Sequence, residues 1–537
     1  MKSQCWPFAQ IPHTTPLFAD FLAWSPKVHE FYPRSPRFAQ WMEEEAPRVN
    51  YDSHRRERVS TILERQNRRW GVSQATLENI ARLRAGSFAV VTGQQVGLFG
   101  GPLFSLFKAL SAIKLAEDAT RAGIDCVPVF WLATEDHDLA EVNQVAVPGR
   151  EGNLHKFAAP VQGIEDAPVK AIRFAPGIEE VVNSFEALVG ESEVTALLRE
   201  FYRPEENFGD AFAKLFAHLY GQWGVILLDA GDVELHRIAE PVYRAAAERA
   251  DELNAAVIKR GEALEHAGYH AQVKVTNSST LLFQFREGAR VPIHRHRGEG
   301  AEFVVGKEGL SASQLLREIS AEPERFSANV LLRPVLQDYL LPSLAYTGGA
   351  AEIAYFAQAA VVYEAIGGRT TPIIPRYSAT IIELKLQTLL ERYSITLPDL
   401  WHGAEKLREV LGLQTLPEAL QKSFDQAKAN LDESLAAMKE ALARLDKTLV
   451  DSATHAGEKM HHQLEQLRGR AARAELRQSE LISRHADLLS NSLYPNNTLQ
   501  EREIAAAYFC ARLGSGFLPE IYKSIHSDCL DHQIVSY

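Results

Sequence analysis

Two continuously apolar runs stand out along the chain. SFAVV (87–91) and CVPVFWLA (126–133) lack the alternation of a half-exposed strand and predict strands buried on both faces. Between them, SLFKALSAIKLAEDATRAG (105–123) repeats its apolar positions with helical periodicity. Strand, helix, strand is a βαβ unit, and it predicts a parallel sheet. The residues before about 85 read as helical and charged, as in RRERVSTILERQNRRW at 55–70. The alternation returns farther on. FGDAFAKLFAHLYGQWG (208–224) predicts a helix and VILLDAGD (225–232) a strand, with a further helix over about 234–267. VLLRPVLQDYLLPSLAYT (330–347) leads to a helix that opens after a glycine pair, and TPIIPR (371–376) is the last predicted strand. Residues 145–205 and 269–328 break the pattern with Gly, Pro and short strand-like runs. They read as two insertions into an α/β core spanning 1–384.

Residues 385–492 carry a different period. Phe424, Leu431, Leu435, Met438, Leu442, Leu445 and Leu449 follow the 3–4 alternation of a heptad seam. A second seam is expected through Met460, Leu464, Leu467, Ala471, Ala474, Leu481 and Leu488. The intervening DSATHAG (451–457) is either a tight turn or part of one long helix, and an antiparallel helical hairpin is the expectation. LYPNNTLQERE then returns the chain, so that 493–537 packs back on the core.

Composition narrows the class. The chain has 537 residues, 46% of them apolar, which excludes disorder as the main state. Its 69 acidic and 57 basic residues give a net charge of −12, a poor match to nucleic acid or anionic membranes. The N-terminal segment has no long apolar run of the signal-peptide kind, and no stretch reaches the ~18 apolar residues of a membrane span. Cys5, Cys126, Cys510 and Cys529 form no CxxC and no disulfide scaffold, so a reducing, cytoplasmic setting is expected.

The candidate chemistry lies at strand ends. TGQQVGLFGGP (92–102) follows a strand and precedes a helix, with four glycines that let backbone approach a ligand and amides at Gln94 and Gln95. It is neither a Walker A nor a GxGxxG sequence. TEDHD ends the next strand with Glu135, Asp136, His137 and Asp138. Such a cluster can bind an ammonium, hold a metal or run acid–base chemistry; alternatively it is a helix-capping acidic turn. LAYTGGAAEIAYF (344–356) offers Tyr346, Gly348, Gly349 and Glu352. IPRYSAT (374–380) offers Arg376, Ser378 and Thr380 for an anionic group. Asp229 and Asp232 read as a turn and a helix cap. His526, Cys529 and His532, with Cys510 upstream, do not have the spacing of a recognised zinc finger.

These stretches resemble the cysteine-ligase family of bacillithiol biosynthesis, BshC. The resemblance rests on VTGQQVGLFGGPLFSLFKALSAIKLAE, PVFWLATEDHDLAEVNQ, LLRPVLQDYLLPSLAYTGGAAEIAYFAQ, IIPRYSATIIE and LYPNNTLQER. It implies a Rossmann-like core with two connecting-peptide insertions and a C-terminal coiled coil. It further implies a cytoplasmic homodimer that adds cysteine to glucosaminyl-malate. Amide formation from a carboxylate requires activation, so ATP or another nucleotide is left open as a cosubstrate without a motif to support it. On this reading Gln95, Asp136, His137 and Asp138 are the expected catalytic set, the aspartates receiving an ammonium and His137 its proton. Gly93, Gln94, Gly97, Lys108, Tyr346, Gly348, Gly349, Glu352, Arg376 and Ser378 are expected to bind substrate, with helix N-terminal amides at 94–97 meeting a carboxylate. No metal ligand is assigned. The competing readings are a metal-assisted hydrolase working through TEDHD and a non-catalytic coiled-coil protein with a degenerate nucleotide-binding core.

Overall fold

The computed structural model describes residues 2–164, 166–296, 301–478, 480–526 and 529–537. They divide into two units, one of 1–147, 156–380 and 501–535, the other of 148–155, 381–500 and 536–537.

The first unit is built on five strands: β1 (Phe88–Gln94), β2 (Cys126–Leu132), β3 (Ile226–Asp229), β4 (Ser343–Gly348) and β5 (Ile373–Pro375). Their order is β5-β4-β1-β2-β3, and every neighbouring pair is parallel. The apolar runs fill the interior of this sheet: β2 and β4 are buried along their whole length, as a parallel sheet covered on both faces requires. Helix α1 (Phe104–Arg121) makes the first crossover and is buried on nearly every side from Ser105 to Ile113. The chain runs from β1 outward through β2 to β3, then returns to the other side of β1 for β4 and β5. The strand order therefore reverses between β1 and β4, where open α/β sheets form their ligand crevice.

Two long excursions interrupt the sheet. The one between β2 and β3 carries the helices Ile178–Val189 and Glu193–Phe201. The one between β3 and β4 forms a five-stranded antiparallel sheet in which Ala289–Arg295 pairs with Ser279–Arg286 and with Phe303–Val305. Cys5 and Cys529 are disulfide-bonded, with Cα atoms 6.3 Å apart, so two of the four cysteines are not free. Cys126 and Cys510 are free and buried, and burial pushes both thiols up to about 12.

The second unit contains α2 (Ala404–Thr415), α3 (Glu418–Leu445) and α4 (Thr448–Gln478). Helices α3 and α4 pack along each other as a hairpin. Its turn is at Asp446–Lys447, not at 451–457, and DSATHAG lies inside α4. Asp446 fixes that position, because its carboxylate accepts from both the backbone amide and the hydroxyl of Thr448 at 2.8 Å. The second seam also differs from expectation. Among the described residues Ala453, Gly457, Gly469 and Ala472 are the buried positions of α4, whereas Met460 and Leu467 are exposed. Close approach explains this: a Cβ on Gly457 would lie 2.7 Å from Leu435, and one on Gly412 of α2 would lie 2.5 Å from the Ala472 carbonyl oxygen. Large side chains cannot enter contacts that tight. Pairs between His461 and Asp432 and between Arg468 and Asp425 flank the hairpin. No helix among the described residues is long and apolar enough to cross a membrane.

Candidate active site

A cavity of about 830 Å³ opens at the carboxyl ends of β1, β2, β4 and β5, and Gln95 and His137 both line it. Three networks of side chains build its walls.

The first joins β1, α1 and β4. Lys108 is buried on α1. Its ammonium donates to the Gly93 carbonyl and the Gln94 side-chain oxygen, each at 2.7 Å, and pairs with Glu352 at 2.7 Å. Burial lowers Lys108 to about 8, partly offset by Glu352. Burial raises Glu352, but Lys108, the Tyr346 hydroxyl and the Gly349 amide together outweigh it and hold the carboxylate below its usual range. The other contacts of Glu352 are the Tyr346 hydroxyl at 2.5 Å and the Gly349 amide at 2.7 Å. Lys108 therefore spends its protons on the protein and anchors the β1 end to Glu352. Gly348 stays out of the cavity lining; a Cβ there would lie 2.9 Å from Glu352.

The second network gathers at the end of β2. Gln95 donates to Asp136 Oδ2 at 2.8 Å. Asp136 Oδ1 accepts from the His137 amide at 3.0 Å and lies 3.4 Å from the Arg290 guanidinium. His137 Nδ1 is 3.5 Å from Arg290 and 3.6 Å from Asp136 Oδ1, so imidazole, carboxylate and guanidinium form one cluster. Arg290 comes from the antiparallel sheet, held by Ser327 and the Ala328 carbonyl over the Phe283 ring. Glu135 faces His236 at 3.0 Å, and His236 meets the Tyr243 hydroxyl at 2.9 Å. Burial raises Glu135, but His236, with Lys170 and Arg290, outweighs it and the carboxyl sits below its usual range. Asp138 departs from the expected role: it is exposed, caps the turn Leu139–Val142 by accepting from the Glu141 amide, and does not line the cavity. The carboxylates of TEDHD thus point to three different partners rather than converging on one ion.

The third network lies at the end of β5. Arg376 donates to Glu501 at 2.7 Å and to the Tyr377 carbonyl at 2.7 Å. Ser378 donates to Glu501 at 2.8 Å and meets His532 Nδ1 at 2.8 Å, while Thr380 meets the other ring nitrogen. Arg376 reaches the cavity; Ser378 does not line it and is a buried link to the C-terminal segment. His532 belongs to this network and Cys529 to the disulfide, which gives both a structural role. Asp229 accepts from Thr134 and Gly231, and Asp232 caps the helix Val233–Glu248.

The expected helix N-terminus at 94–97 is absent. Gln94 is still on β1, and α1 begins only at Phe104. Between them Phe99, Gly100 and Gly101 all have positive φ, which reverses the chain before the helix can start. Gly97 is required by that reversal, since a Cβ would lie 2.8 Å from the Gly101 Cα. Gly97→Val is expected to cost about 1–3 kcal/mol through overpacking, with melting temperature and activity falling together. A variant that melts like wild type yet loses activity would assign the glycine to ligand approach.

Sequence reasoning missed Arg290, Arg333 and Arg502. Arg333 and Arg502 stand in two of the motif stretches, LLRPVLQDY and LYPNNTLQER, but neither sits at a predicted strand end. Arg333 donates to Gln337 at 3.1 Å and to the Tyr355 hydroxyl at 3.0 Å, and its guanidinium lies over the Tyr346 ring. Arg502 lies near the Phe104 ring, which also faces Lys108 and Arg376.

Comparison with known proteins adds an independent line. Residues 1–377 match the family model "Bacillithiol biosynthesis BshC, N-terminal Rossmann-like domain", and residues 379–537 match "Bacillithiol biosynthesis BshC, C-terminal coiled-coil domain". The chain is 49% identical to a protein of Koribacter versatilis and 33% identical to one of Solibacter usitatus, in both cases over 100% of each chain. It is 32% identical to one of Salinibacter ruber, over 97% of this chain and 96% of the other. All three carry the name "Putative cysteine ligase BshC".

Proposed function

The chain belongs to the BshC family, and from that premise we propose that it is a cytoplasmic ligase joining the carboxyl group of cysteine to the amine of glucosaminyl-malate, the last step of bacillithiol biosynthesis. One observation carries the site assignment: the cavity has two electrostatic poles. Arg333, Arg376 and Arg502 stand on the β4–β5 side with the Lys108–Glu352 pair, whereas Glu135, Asp136 and His137 stand at the end of β2, where Arg290 is the one guanidinium among them. Substrate carboxylates belong at the first pole and the acceptor ammonium at the second, where Asp136 holds it and His137 takes its proton. A free amine can then attack the cysteine carbonyl carbon. The departing carboxylate oxygen must leave on an activating group, and adenylation or phosphorylation by ATP or another nucleotide would provide one. No residue is assigned to that nucleotide. Neither nucleic acid nor a membrane has a part in this reading.

The test is mass spectrometry of reactions containing purified protein, cysteine and glucosaminyl-malate, with and without ATP. A product heavier than glucosaminyl-malate by one cysteinyl residue is expected; its absence under all nucleotide conditions would refute the assignment.

The same reading includes a homodimer formed through the helical hairpin. Its support is the unspent apolar surface there, with Leu445 79% and Leu467 55% exposed. Replacing both by Glu should yield folded monomers in light scattering at micromolar concentration, with a Tm that no longer depends on protein concentration. A variant that remains dimeric would move the interface elsewhere.

A further inference from the structure

We propose that Arg333 and Arg502 form the subsite for the two carboxylates of the acceptor's malate group. The inference rests on the ligase reading and adds the residues that would recognise the acceptor. Six cationic side chains line the cavity. Three are paired by the protein itself: Lys108 with Glu352, Arg376 with Glu501 and Arg290 with Asp136. A fourth, Lys274, is an exposed ammonium without the planar fork of a guanidinium. Arg333 and Arg502 have no carboxylate within 4 Å among the described residues. The hydrogen-bond partners of Arg333 are the neutral groups of Gln337 and Tyr355, which fix the guanidinium, and its nearest carboxylate influence is Glu352, already paired with Lys108. It is also the first residue of the helix Arg333–Leu340, whose N-terminus adds positive potential. Arg502 lies beside the Phe104 ring that also faces Arg376 and Lys108. Two guanidinium groups without a paired carboxylate in one cavity suit a dianionic ligand, and each presents the planar fork that binds carboxylate or phosphate. A malate group supplies two carboxylates, and a nucleotide phosphate could supply the same charge.

The experiment separates these sources. Arg502→Gln and Arg333→Gln are assayed with glucosaminyl-malate and with methyl glucosaminide, which lacks carboxylates, while the nucleotide and cysteine are each varied. Arg502 is exposed and makes no hydrogen bond among the described residues, so its variant folds even if Arg333→Gln does not. Each variant is expected to lose about 10–100-fold in kcat/KM for glucosaminyl-malate, about 1.4 kcal/mol per tenfold step. For methyl glucosaminide the loss should be at least about fivefold smaller. Equal losses on both acceptors, or a loss confined to the nucleotide KM, would overturn the subsite. Calorimetry with L-malate gives a readout independent of turnover: wild-type protein should bind it and Arg502→Gln should bind at least tenfold more weakly. Equal binding by both proteins, or none by either, would also overturn it. A wild-type enzyme inactive on every acceptor would instead refute the ligase reading, leaving the malate measurement to judge the subsite.

Discussion

His137→Ala is expected to lower turnover by about 10²–10⁴-fold, the usual contribution of a positioned general base, while the KM for the acceptor changes much less. The cluster around the imidazole supports that separation. Asp136 is oriented by three donors independent of the His137 side chain, namely Gln95 at 2.8 Å, the His137 backbone amide at 3.0 Å and Arg290 at 3.4 Å. Removing the imidazole therefore leaves the carboxylate in place to hold an ammonium. What is lost is the group that accepts its proton. His137→Asn should be as poor as Ala, because an amide can occupy the space and donate a hydrogen bond but cannot take up a proton near neutrality. Gln95→Ala should behave in the opposite sense. It frees Asp136 to move and removes one hydrogen bond to a charged partner, worth about 1.5–3 kcal/mol, so binding should weaken while some turnover remains. Steady-state kinetics of product formation, with melting temperature as the folding control, distinguish the two. Wild-type turnover in folded His137→Ala would remove His137 from the mechanism.

The parallel sheet was legible because its strands are buried on both faces. SFAVV and CVPVFWLA became β1 and β2, and the motifs that follow them line one cavity. Strand-end position was less informative about individual side chains. Asp138 follows three cavity residues yet turns out to cap a short helix, because one step along an irregular segment is enough to reverse a side chain's direction. The three arginines were hidden for a topological reason. Arg290 stands on an antiparallel strand inside an insertion, Arg333 opens a helix, and Arg502 lies 126 residues beyond Arg376 in sequence. Only the tertiary fold brings them to the cavity. The hairpin turn did leave a local trace: Leu445-Asp446-Lys447-Thr448 carries the capping aspartate, but Gly457 looked like the stronger breaker. Inside a helix a glycine is tolerated when a neighbour needs the space, and here Leu435 occupies it.

Arg376→Ala should be the most destabilising single change among the residues considered. Glu501 is 1% exposed, and burial alone would push its carboxyl up; Arg376, with help from His532 and Ser378, reverses this and holds it below the usual range. Removing the guanidinium leaves a buried carboxylate facing Ser378, the Ala379 amide and His532 without its cation. Such a break costs about 3–5 kcal/mol, enough to lower Tm by at least about 5 °C. The pH dependence identifies the cause. In wild type the folded-state pKa of Glu501 is depressed, so its contribution is present above the unfolded carboxyl pKa and is lost as pH falls through the folded value. In Arg376→Ala burial is no longer opposed, the folded pKa rises, and the charged form is penalised at neutral pH. The stability deficit should therefore be largest near pH 7 and narrow toward pH 4. Replacing both partners, as in Arg376→Met with Glu501→Leu, should recover most of the loss, since neither charge then remains buried alone. Denaturant titrations at pH 7 and pH 4.5 test all three statements. A deficit independent of pH, or a double variant no more stable than Arg376→Ala, would mean that packing of the arginine side chain dominates. The pair then would not be the electrostatic clasp that ties the C-terminal segment to the end of β5.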